Sequence, residues 1–153
     1  MTREKMVKKL IEIARSQIGK PYKFGSDISW ESKTKPCSFD CSSFVQWCFN
    51  GIGINIFKKR RSTILQAAAT GKKVIRRLSG LQPGDLIFFD GERGYYRCDS
   101  FNGQKIDVGH VAIYIGNGKI IHATGITGMV TEEELIKVLK QPYRKITYMK
   151  RYF

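Results

Sequence analysis

The sequence has 153 residues, of which 42% are hydrophobic and 12% aromatic, and its formal net charge at pH 7 is +14. This hydrophobic content excludes an intrinsically disordered chain, and fifteen glycines and four prolines are too few for a fibrous protein. A chain of this length can bury a substantial hydrophobic core. We therefore expect one globular domain spanning residues 1–153.

The N-terminal region carries no recognisable export signal. Charged residues interrupt every apolar pair there, so the apolar centre of a signal peptide is missing. The longest apolar run, at residues 111–115, is far shorter than the roughly 20 residues that cross a bilayer. We expect no transmembrane segment. The location stays open between the cytoplasm and, for a fragment or a chain exported by another route, the cell wall.

Helical patterns fill the first half of the sequence. Apolar residues recur at helical spacing over residues 3–18, and Gly19 suits the position after that helix. A second helix is predicted at residues 41–50, with Asp40 as its N-terminal cap. A short third helix is predicted at residues 63–69, which begin with the spacing of a capping box.

After residue 72 the hydrophobic pattern changes from helical to alternating, which predicts strands. One more helix is predicted at residues 131–139, where Thr131 and Glu134 again have the spacing of a capping box. Helices followed by an antiparallel sheet of about five strands indicate an α+β domain. The predicted strands are 73–77, 85–89, 110–115, 119–124 and 146–152.

The segment from Asp90 to Gly109 interrupts the alternating pattern. Its twenty residues show no periodicity, and irregular loops longer than about 12–15 residues are uncommon in a compact domain. Tyr95, Tyr96 and Phe101 stand among charged residues in this segment. This composition is typical of a lid or a binding loop, with a disordered surface insertion as the alternative.

The sequence has two histidines, His110 and His122, and both fall in predicted strands of one hairpin. The length of the intervening loop decides whether their rings lie on the same face of the sheet. A two-residue loop would place the rings on opposite faces. A three-residue loop at residues 116–118 pairs Ala112 with His122, so that His122 lies diagonal to His110 on one face. Because a late glycine suits a three-residue loop, we predict this second register.

Four cysteines are present, and Cys41 is the best candidate for a nucleophile. A thiol of ordinary pKa, about 8.5, is mostly protonated and unreactive at neutral pH. The start of the second helix and an imidazolium at His110 would both lower the pKa of Cys41. Cys37 precedes the helix, Cys48 lies two turns inside it as a core residue, and Cys98 falls in the irregular segment.

Zinc binding is the competing use of these side chains. Cys37 and Cys41 have acceptable ligand spacing, and the two histidines could complete a tetrahedral site. The histidines, however, lie twelve residues apart on strands, whereas zinc-binding pairs are commonly roughly three to five residues apart. We therefore predict no metal and no cofactor.

Five short motifs follow one another along the chain: Gly19–Gly25 (GKPYKFG), Phe39–Phe44 (FDCSSF), Leu81–Phe89 (LQPGDLIFF), Val108–Gly118 (VGHVAIYIGNG) and Ile121–Ala123 (IHA). In this order they resemble the NlpC-type cell-wall cysteine peptidases, a papain-like family. The resemblance covers nearly the whole chain. It implies a papain-like fold, in which N-terminal helices pack on a central antiparallel sheet.

The resemblance also implies the roles of individual residues. Cys41, His110 and His122 would form a Cys-His-His arrangement, with Cys41 as nucleophile, His110 as its base and His122 holding that base. Tyr22, the tyrosine of the Pro-Tyr motif, would line the site near the nucleophile and help to bind the oxyanion or the substrate. The implied arrangement needs no cofactor.

Two residues flank the nucleophile, Asp40 and Ser42. We expect them to support the start of the helix and to contact the substrate backbone, with helix capping alone as the alternative. The reaction that the resemblance implies is amide hydrolysis in peptidoglycan stem peptides, often between D-glutamate and a diamino acid. The same catalytic residues could instead serve an enzyme that acts on a non-wall amide or transfers the acyl group, as a transglutaminase does.

The strongly basic composition indicates acidic partners. Peptidoglycan stem peptides or muropeptides carry carboxylates, and anionic wall polymers are further candidate partners. A non-catalytic basic module that binds nucleic acid or anionic wall polymer is the alternative from a different class of protein. We expect no nucleic-acid partner, because the basic residues form no recognised nucleic-acid motif with interleaved aromatics. The basic clusters lie at residues 58–61, 72–73, 76–77, 144–145 and 150–151.

Overall fold

The computed structural model of the chain describes residues 1–26, 36–56, 73–91, 96–97 and 105–153. The predicted helix at residues 63–69 lies outside these described residues, and so does Cys98. The prediction of a single domain over the whole chain stays a prediction.

Two N-terminal helices confirm the first two of the four predicted helices. Helix α1, Arg3–Ser16, begins at Thr2, whose side chain accepts a hydrogen bond from the Lys5 backbone N–H at 3.3 Å. It ends two residues earlier than predicted, in a turn that continues to Gly19. Helix α2, Cys41–Asn50, has the predicted bounds and buries most of its side chains. No helix in the described part of the chain is long and apolar enough to span a membrane.

A six-stranded antiparallel sheet forms the centre of the fold and confirms the α+β class. The strand order is β1-β8-β2-β5-β6-β7, and a separate two-stranded ribbon pairs β3 with β4. The strands are β1 Lys73–Val74, β2 Leu86–Phe89, β3 Tyr96–Arg97, β4 Lys105–Ile106, β5 His110–Gly116, β6 Lys119–Thr124, β7 Met129–Glu134 and β8 Ile146–Arg151, with a 3-10 turn at Leu78–Gly80. The sheet therefore has one more strand than the five predicted.

The additional strand corrects the helix predicted at residues 131–139. Strand β7 ends at Glu134, and only the four residues Leu135–Val138 form a helix, α3. Thr131 does not cap a helix; it pairs with His122 of β6, and its hydroxyl contacts that of Thr127 at 2.6 Å. Pairing with the long strand β6 thus outweighs the local capping signal, because strand formation depends strongly on tertiary context.

The segment between Asp90 and Gly109 is not wholly irregular, because it contains the β3–β4 ribbon. Its two ends are held together at one point. The Gly91 N–H donates to the Asp107 carboxylate at 2.9 Å, and the Gly109 N–H donates to the Phe89 carbonyl at 2.8 Å. A β-carbon at Gly109 would lie 2.3 Å from the Cα atom of Gly91, so glycines permit this close approach.

Two hydrophobic clusters pack on opposite faces of the sheet. Val111 and Ile113 of β5 belong to the larger cluster, with α1 and α2. Ala112 of β5 and Ile120 of β6 belong to the smaller cluster, with α3. Because side chains alternate along a strand, even-numbered residues in the first part of β5 share the face of the smaller cluster. The fold therefore places the side chain of His110 on that face.

Candidate active site

Cys41 is the first residue of α2, which packs against strands β5 and β6. The residue is 9% exposed and belongs to the larger hydrophobic cluster. The backbone N–H groups of Val111 and Ser42 form hydrogen bonds with the thiol group and lower its pKa. Since Val111 directly follows His110 in β5, the Cys41 thiol contacts the β5 backbone next to His110, whose side chain lies on the face of the smaller cluster.

The two residues flanking Cys41 hold the start of α2. The Asp40 carboxylate accepts a hydrogen bond from the Ser43 backbone N–H at 2.8 Å, and the Ser43 hydroxyl accepts one from the Asp40 N–H at 3.0 Å. The Ser42 hydroxyl donates to the Asp40 carboxylate at 3.3 Å. These contacts form a reciprocal cap that fixes the backbone on both sides of Cys41. The predicted contact of Asp40 and Ser42 with substrate stays a prediction.

The hairpin that carries the two histidines has an unexpected turn. The turn has two residues, Asn117 and Gly118, and Gly116 pairs with Lys119. The three-residue loop predicted here is therefore wrong. The register shifts by one residue at Ile115, and beyond this bulge Ile113 pairs with Ile121 and Tyr114 with Ile120. Gly116 has a φ of +97°, which suits a bulge next to the turn.

Because of this bulge, β5 and β6 pair beyond Ile115 in the same register that the predicted loop would have given. The Nε2 atom of His110 lies 2.8 Å from the Nδ1 atom of His122, and the ring centroids are 5.0 Å apart. Both side chains are buried, with His110 at 5% and His122 at 0% exposure. The prediction that the two imidazoles share a face is confirmed.

Glu133 extends this hydrogen-bonded chain. Its Oε2 atom lies 2.6 Å from the Nε2 atom of His122, and its Oε1 atom accepts from the side chain of Gln141 at 3.3 Å. The hydrogen bond from His122 lowers the pKa of Glu133, so the carboxylate is ionised at neutral pH. Since a carboxylate only accepts, His122 donates through Nε2 and its Nδ1 atom is left to accept from His110.

Burial controls the protonation of the site. Burial, followed by the Asp40 carboxylate, raises the pKa of the Cys41 thiol to about 12, although Val111 and Arg144 act in the opposite direction. Burial also lowers the pKa of His110 well below its usual range. At neutral pH the resting pair is therefore a thiol and a neutral imidazole. This is opposite to the depressed thiol pKa that the helix start predicted, because desolvation penalises both charged forms.

Tyr22 lies beside the start of α2 through backbone pairing. It forms a bridge with Phe39, and its N–H donates to the Gly128 carbonyl at 2.9 Å. Burial raises the pKa of the Tyr22 phenol, and the charges at Cys41 and Asp40 raise it as well. The phenol is therefore protonated and can donate a hydrogen bond.

Arg144 is a cation at the same site that the sequence did not single out. Its Nη2 atom donates to the Thr124 hydroxyl at 3.3 Å, and Nη1 donates to the Tyr143 carbonyl at 3.0 Å. The Arg144 charge lowers the pKa of Cys41 and of both histidines. Its guanidinium is thus close enough to the reacting groups to influence them.

The other two described cysteines, Cys37 and Cys48, take no part in the interactions around Cys41 and the histidines described above. Cys37 is exposed, and Cys48 is fully buried in the core, as predicted, where burial raises its pKa well above the usual range. Within the described ranges, no three or more His, Cys, Asp or Glu side chains form a group that could hold a metal ion.

Comparison with known proteins identifies the family. A family profile described as "NlpC/P60 family" matches residues 19–151, which is most of the chain. The chain belongs to the NlpC/P60 family. This family is the one whose motifs the sequence resembles, so that resemblance is confirmed.

Individual NlpC/P60 relatives are similar over most of this chain. A probable endopeptidase of Corynebacterium glutamicum is 30% identical over 126 residues, covering 82% of this chain and 47% of that protein. The probable endopeptidase p60 of Listeria seeligeri is 34% identical over 114 residues, covering 74% of this chain and 17% of that protein. This chain thus spans less than half the length of these relatives.

Solved structures of the same kind superpose on the fold. The peptidoglycan hydrolase RipB from Mycobacterium tuberculosis has a TM-score of 0.68 at 26% identity, covering 100% of this chain and 69% of that one. NlpC1 from Trichomonas vaginalis has a TM-score of 0.68 at 28% identity, covering 95% of this chain and 44% of that one. These superpositions confirm the predicted papain-like α+β architecture of the NlpC/P60 domain.

Sequence reasoning missed Glu133 and Arg144 for different reasons. Glu133 falls within the helix predicted at residues 131–139, and the run of three glutamates gives no alternating pattern that would indicate a strand. Arg144 has no sequence signal either, since it follows Tyr143, whose φ of +55° turns the chain toward the site. The structure brings Glu133 into contact with His122 and places Arg144 close enough for its charge to act on Cys41 and both histidines.

Proposed function

We propose that this chain hydrolyses amide bonds in the peptide stems of peptidoglycan, with Cys41 as nucleophile and His110 as base. The observation that carries the proposal is the 2.8 Å contact between His110 and His122 beside a helix that begins with Cys41. Nucleophilic acyl transfer by a thiol uses an imidazole whose orientation is fixed by a second group, and the Cys41 thiol contacts the strand that carries such an imidazole, His110.

The hydrogen-bond chain supports one nitrogen of His110 as the acting base. Glu133 accepts from Nε2 of His122, and Nδ1 of His122 accepts from Nε2 of His110. The Nδ1 atom of His110 is then unprotonated and is the atom that takes the proton of Cys41. In this proposal His122 fixes the tautomer of His110, and Glu133 stabilises the positive charge that His110 acquires.

The proposed reaction proceeds in two steps. The Cys41 sulfur attacks the amide carbonyl while His110 takes the thiol proton, and protonated His110 then gives that proton to the leaving amine. Water, deprotonated by the same imidazole, attacks the thioester, and Cys41 leaves with the proton returned. Because the resting thiol is neutral, proton transfer accompanies the attack. Tyr22 would donate a hydrogen bond to the oxyanion or to the substrate.

Two observations support the proposed substrate class: the names of similar proteins and the net charge of this chain. Two similar proteins are named probable endopeptidases, and a structural neighbour is named a peptidoglycan hydrolase. A chain of net charge +14 is suited to the carboxylates of stem peptides and of muropeptides. We propose the bond between D-glutamate and the diamino acid as the one cleaved, with Asp40 and Ser42 contacting the substrate backbone. Binding of anionic wall polymers stays a prediction.

A defined stem tetrapeptide tests the proposal. Incubation with the wild-type chain should give two fragments, separated at the D-glutamyl bond, in mass analysis of the products. Cys41→Ala should give none, whereas Cys37→Ala, which changes an exposed cysteine, should cleave like the wild type. Added amine nucleophiles separate hydrolysis from acyl transfer, because a transferase would join the amine to the acyl fragment. Undiminished cleavage by Cys41→Ala, or no cleavage of any stem peptide by the wild type, would contradict the proposal.

A further inference from the structure

A cavity of about 590 Å³ opens beside the candidate active site. Met149 and Ile146 line it and pack with the smaller hydrophobic cluster, which is the face of the sheet that carries the histidines. Its polar lining is mainly basic. The charged and aromatic residues around it are Arg76, Asp90, Tyr143, Arg144 and Lys145.

Arg144 belongs both to this cavity and to the reacting groups. It lines the cavity, and its charge acts on the pKa of Cys41 and of Tyr22. A second lining residue, Gln141, donates to Glu133, which contacts His122, so the cavity borders the histidine chain.

The Arg144 guanidinium has unused hydrogen-bonding capacity. Its buried Nε atom has no hydrogen-bond partner among the described residues. In the same part of the chain no carboxylate forms an ion pair with it, although Asp90 and Glu133 act on its charge from farther away. A partly buried guanidinium without a carboxylate partner is costly unless a ligand supplies one.

Each neighbouring carboxylate accepts a hydrogen bond from a group other than Arg144. Asp90 accepts the backbone N–H of Lys145 at 2.8 Å, and Glu133 accepts from His122 at 2.6 Å. The turn that presents Arg144 is also fixed, since the carbonyl of Tyr143, a residue with φ of +55°, accepts from Nη1. The guanidinium is thus held in place at the cavity by two neutral acceptors, and no carboxylate among the described residues pairs with its charge.

We propose that Arg144 and this cavity form a subsite for a free carboxylate of the substrate, on the residue that flanks the scissile amide. The geometry favours a carboxylate because a guanidinium binds its two oxygens with parallel N–H donors. Arg76 and Lys145 add positive charge to the cavity, so an amidated substrate residue would gain less there. The peptide nature of the substrate rests on the proposed function, whereas the binding of an anion beside Cys41 does not.

A matched pair of stem peptides tests the subsite. One peptide carries the free carboxylate next to the scissile bond, and the other carries a carboxamide at the same position. The wild type should cleave the carboxylate form with a kcat/KM roughly 10- to 100-fold higher, the effect of losing a charge-assisted hydrogen bond. Arg144→Met should remove most of this preference, and Arg144→Lys should retain part of it.

Arg77→Met is the matched control, since Arg77 is an exposed arginine that does not line the cavity. It removes the same charge and should keep the wild-type preference. Circular dichroism of each variant establishes that it is folded. Equal cleavage of the two peptides by the wild type, which needs no variant, would overturn the inference and leave the proposed hydrolysis intact.

Alkylation of Cys41 supplies a readout that does not depend on wall peptides. Iodoacetate carries a carboxylate, whereas iodoacetamide is its neutral counterpart. The ratio of their alkylation rates at Cys41 should fall several-fold in Arg144→Met and stay unchanged in Arg77→Met. If the ratio falls but no stem peptide is cleaved, the anion subsite holds and the proposed function fails. An unchanged ratio in Arg144→Met would overturn the subsite.

Discussion

His110 and His122 meet through a 2.8 Å contact that depends on a one-residue bulge in the hairpin joining their strands. The two-residue turn at Asn117 and Gly118 would by itself place the two rings on opposite faces. The bulge at Ile115 reverses that outcome, because one extra residue on β5 shifts its alternation relative to β6.

The first prediction concerns the carboxylate at the end of the histidine chain. Glu133→Gln keeps a group of the same shape next to His122 but removes the charge that stabilises protonated His110. We expect kcat to fall by roughly tenfold, the effect of one charge-assisted hydrogen bond. The measurement is the pH profile of stem-peptide cleavage.

The direction of the pH shift separates electrostatics from structure. The Glu133 hydrogen bond and charge raise the pKa of His122, while burial lowers it. Without that charge the pKa of His122 falls further, so the histidines become protonated only at lower pH. The acid limb of kcat/KM should therefore move to lower pH. Glu134→Gln, at an exposed neighbouring carboxylate, should leave the limb in place; an unmoved limb in Glu133→Gln would limit Glu133 to a structural role.

The second prediction concerns the resting state of Cys41. Because burial and Asp40 raise the pKa of the thiol to about 12, its alkylation by iodoacetamide should still be rising above pH 9. Asp40→Asn removes the second of these causes and keeps a good helix cap. This variant should alkylate faster than the wild type at pH 8, since its thiol pKa is lower.

Peptide mapping assigns the label in this experiment. Exposed Cys37 reports access of the reagent in the same sample. A Cys41 midpoint below about 8.5, the ordinary thiol value, would contradict a neutral resting pair and indicate a preformed thiolate and imidazolium.

The sequence was sufficient to predict several features of the fold that depend on local hydrophobic and capping patterns. It predicted α2 with Cys41 at its start, and five strands of the central sheet with their approximate bounds. It also predicted that the histidines share a face, although through the wrong turn. A three-residue loop, and a two-residue turn followed by a bulge, both bring the same residues of β5 and β6 opposite each other. The local sequence does not distinguish these two arrangements.

Features that depend on distant contacts were not predictable. Strand β7 forms because β6 offers a partner, not because its three consecutive glutamates favour a strand. The raised pKa of Cys41 follows from burial, which a capping motif does not report. Arg144 reaches the site through the backbone conformation of Tyr143 and a contact with Thr124, twenty residues away in the chain.

The third prediction concerns the close approach of Gly91 and Gly109. An alanine β-carbon at Gly109 would lie 2.3 Å from the Gly91 Cα atom, so the backbone next to His110 must move. We expect Gly109→Ala to lower the free energy of unfolding by about 1–3 kcal/mol, as overpacking does. Cleavage activity should fall as well, because His110 is displaced.

Urea unfolding and cleavage assays measure the two effects of Gly109→Ala. Gly80→Ala is the control, because its β-carbon meets only the Cγ2 methyl group of Ile75, at 3.3 Å. Neither glycine has a positive φ, so backbone strain does not confuse the comparison. Equal unfolding free energies for both variants would show that the glycine contact is not needed.

The fourth prediction concerns the buried ion pair between Asp85 and Arg151. Asp85 has no exposed side-chain surface, and Arg151 donates to its two oxygens at 2.7 and 2.8 Å. Asp85 also accepts the Gln82 N–H at 2.8 Å, which holds the turn before β2. Asp85→Asn leaves the Arg151 charge without its partner, so we expect the free energy of unfolding to fall by about 3–5 kcal/mol.

The exposed pair of Arg15 and Glu132, 3.0 Å apart, provides the control for the buried pair. Glu132→Gln should change the free energy of unfolding by less than about 1 kcal/mol, because solvent screens that contact. The double variant Asp85→Leu with Arg151→Met should be less destabilised than the sum of its single variants, since neither charge is then left alone. Additive losses in urea unfolding would instead show that the two residues stabilise the fold independently, and that their contact contributes little.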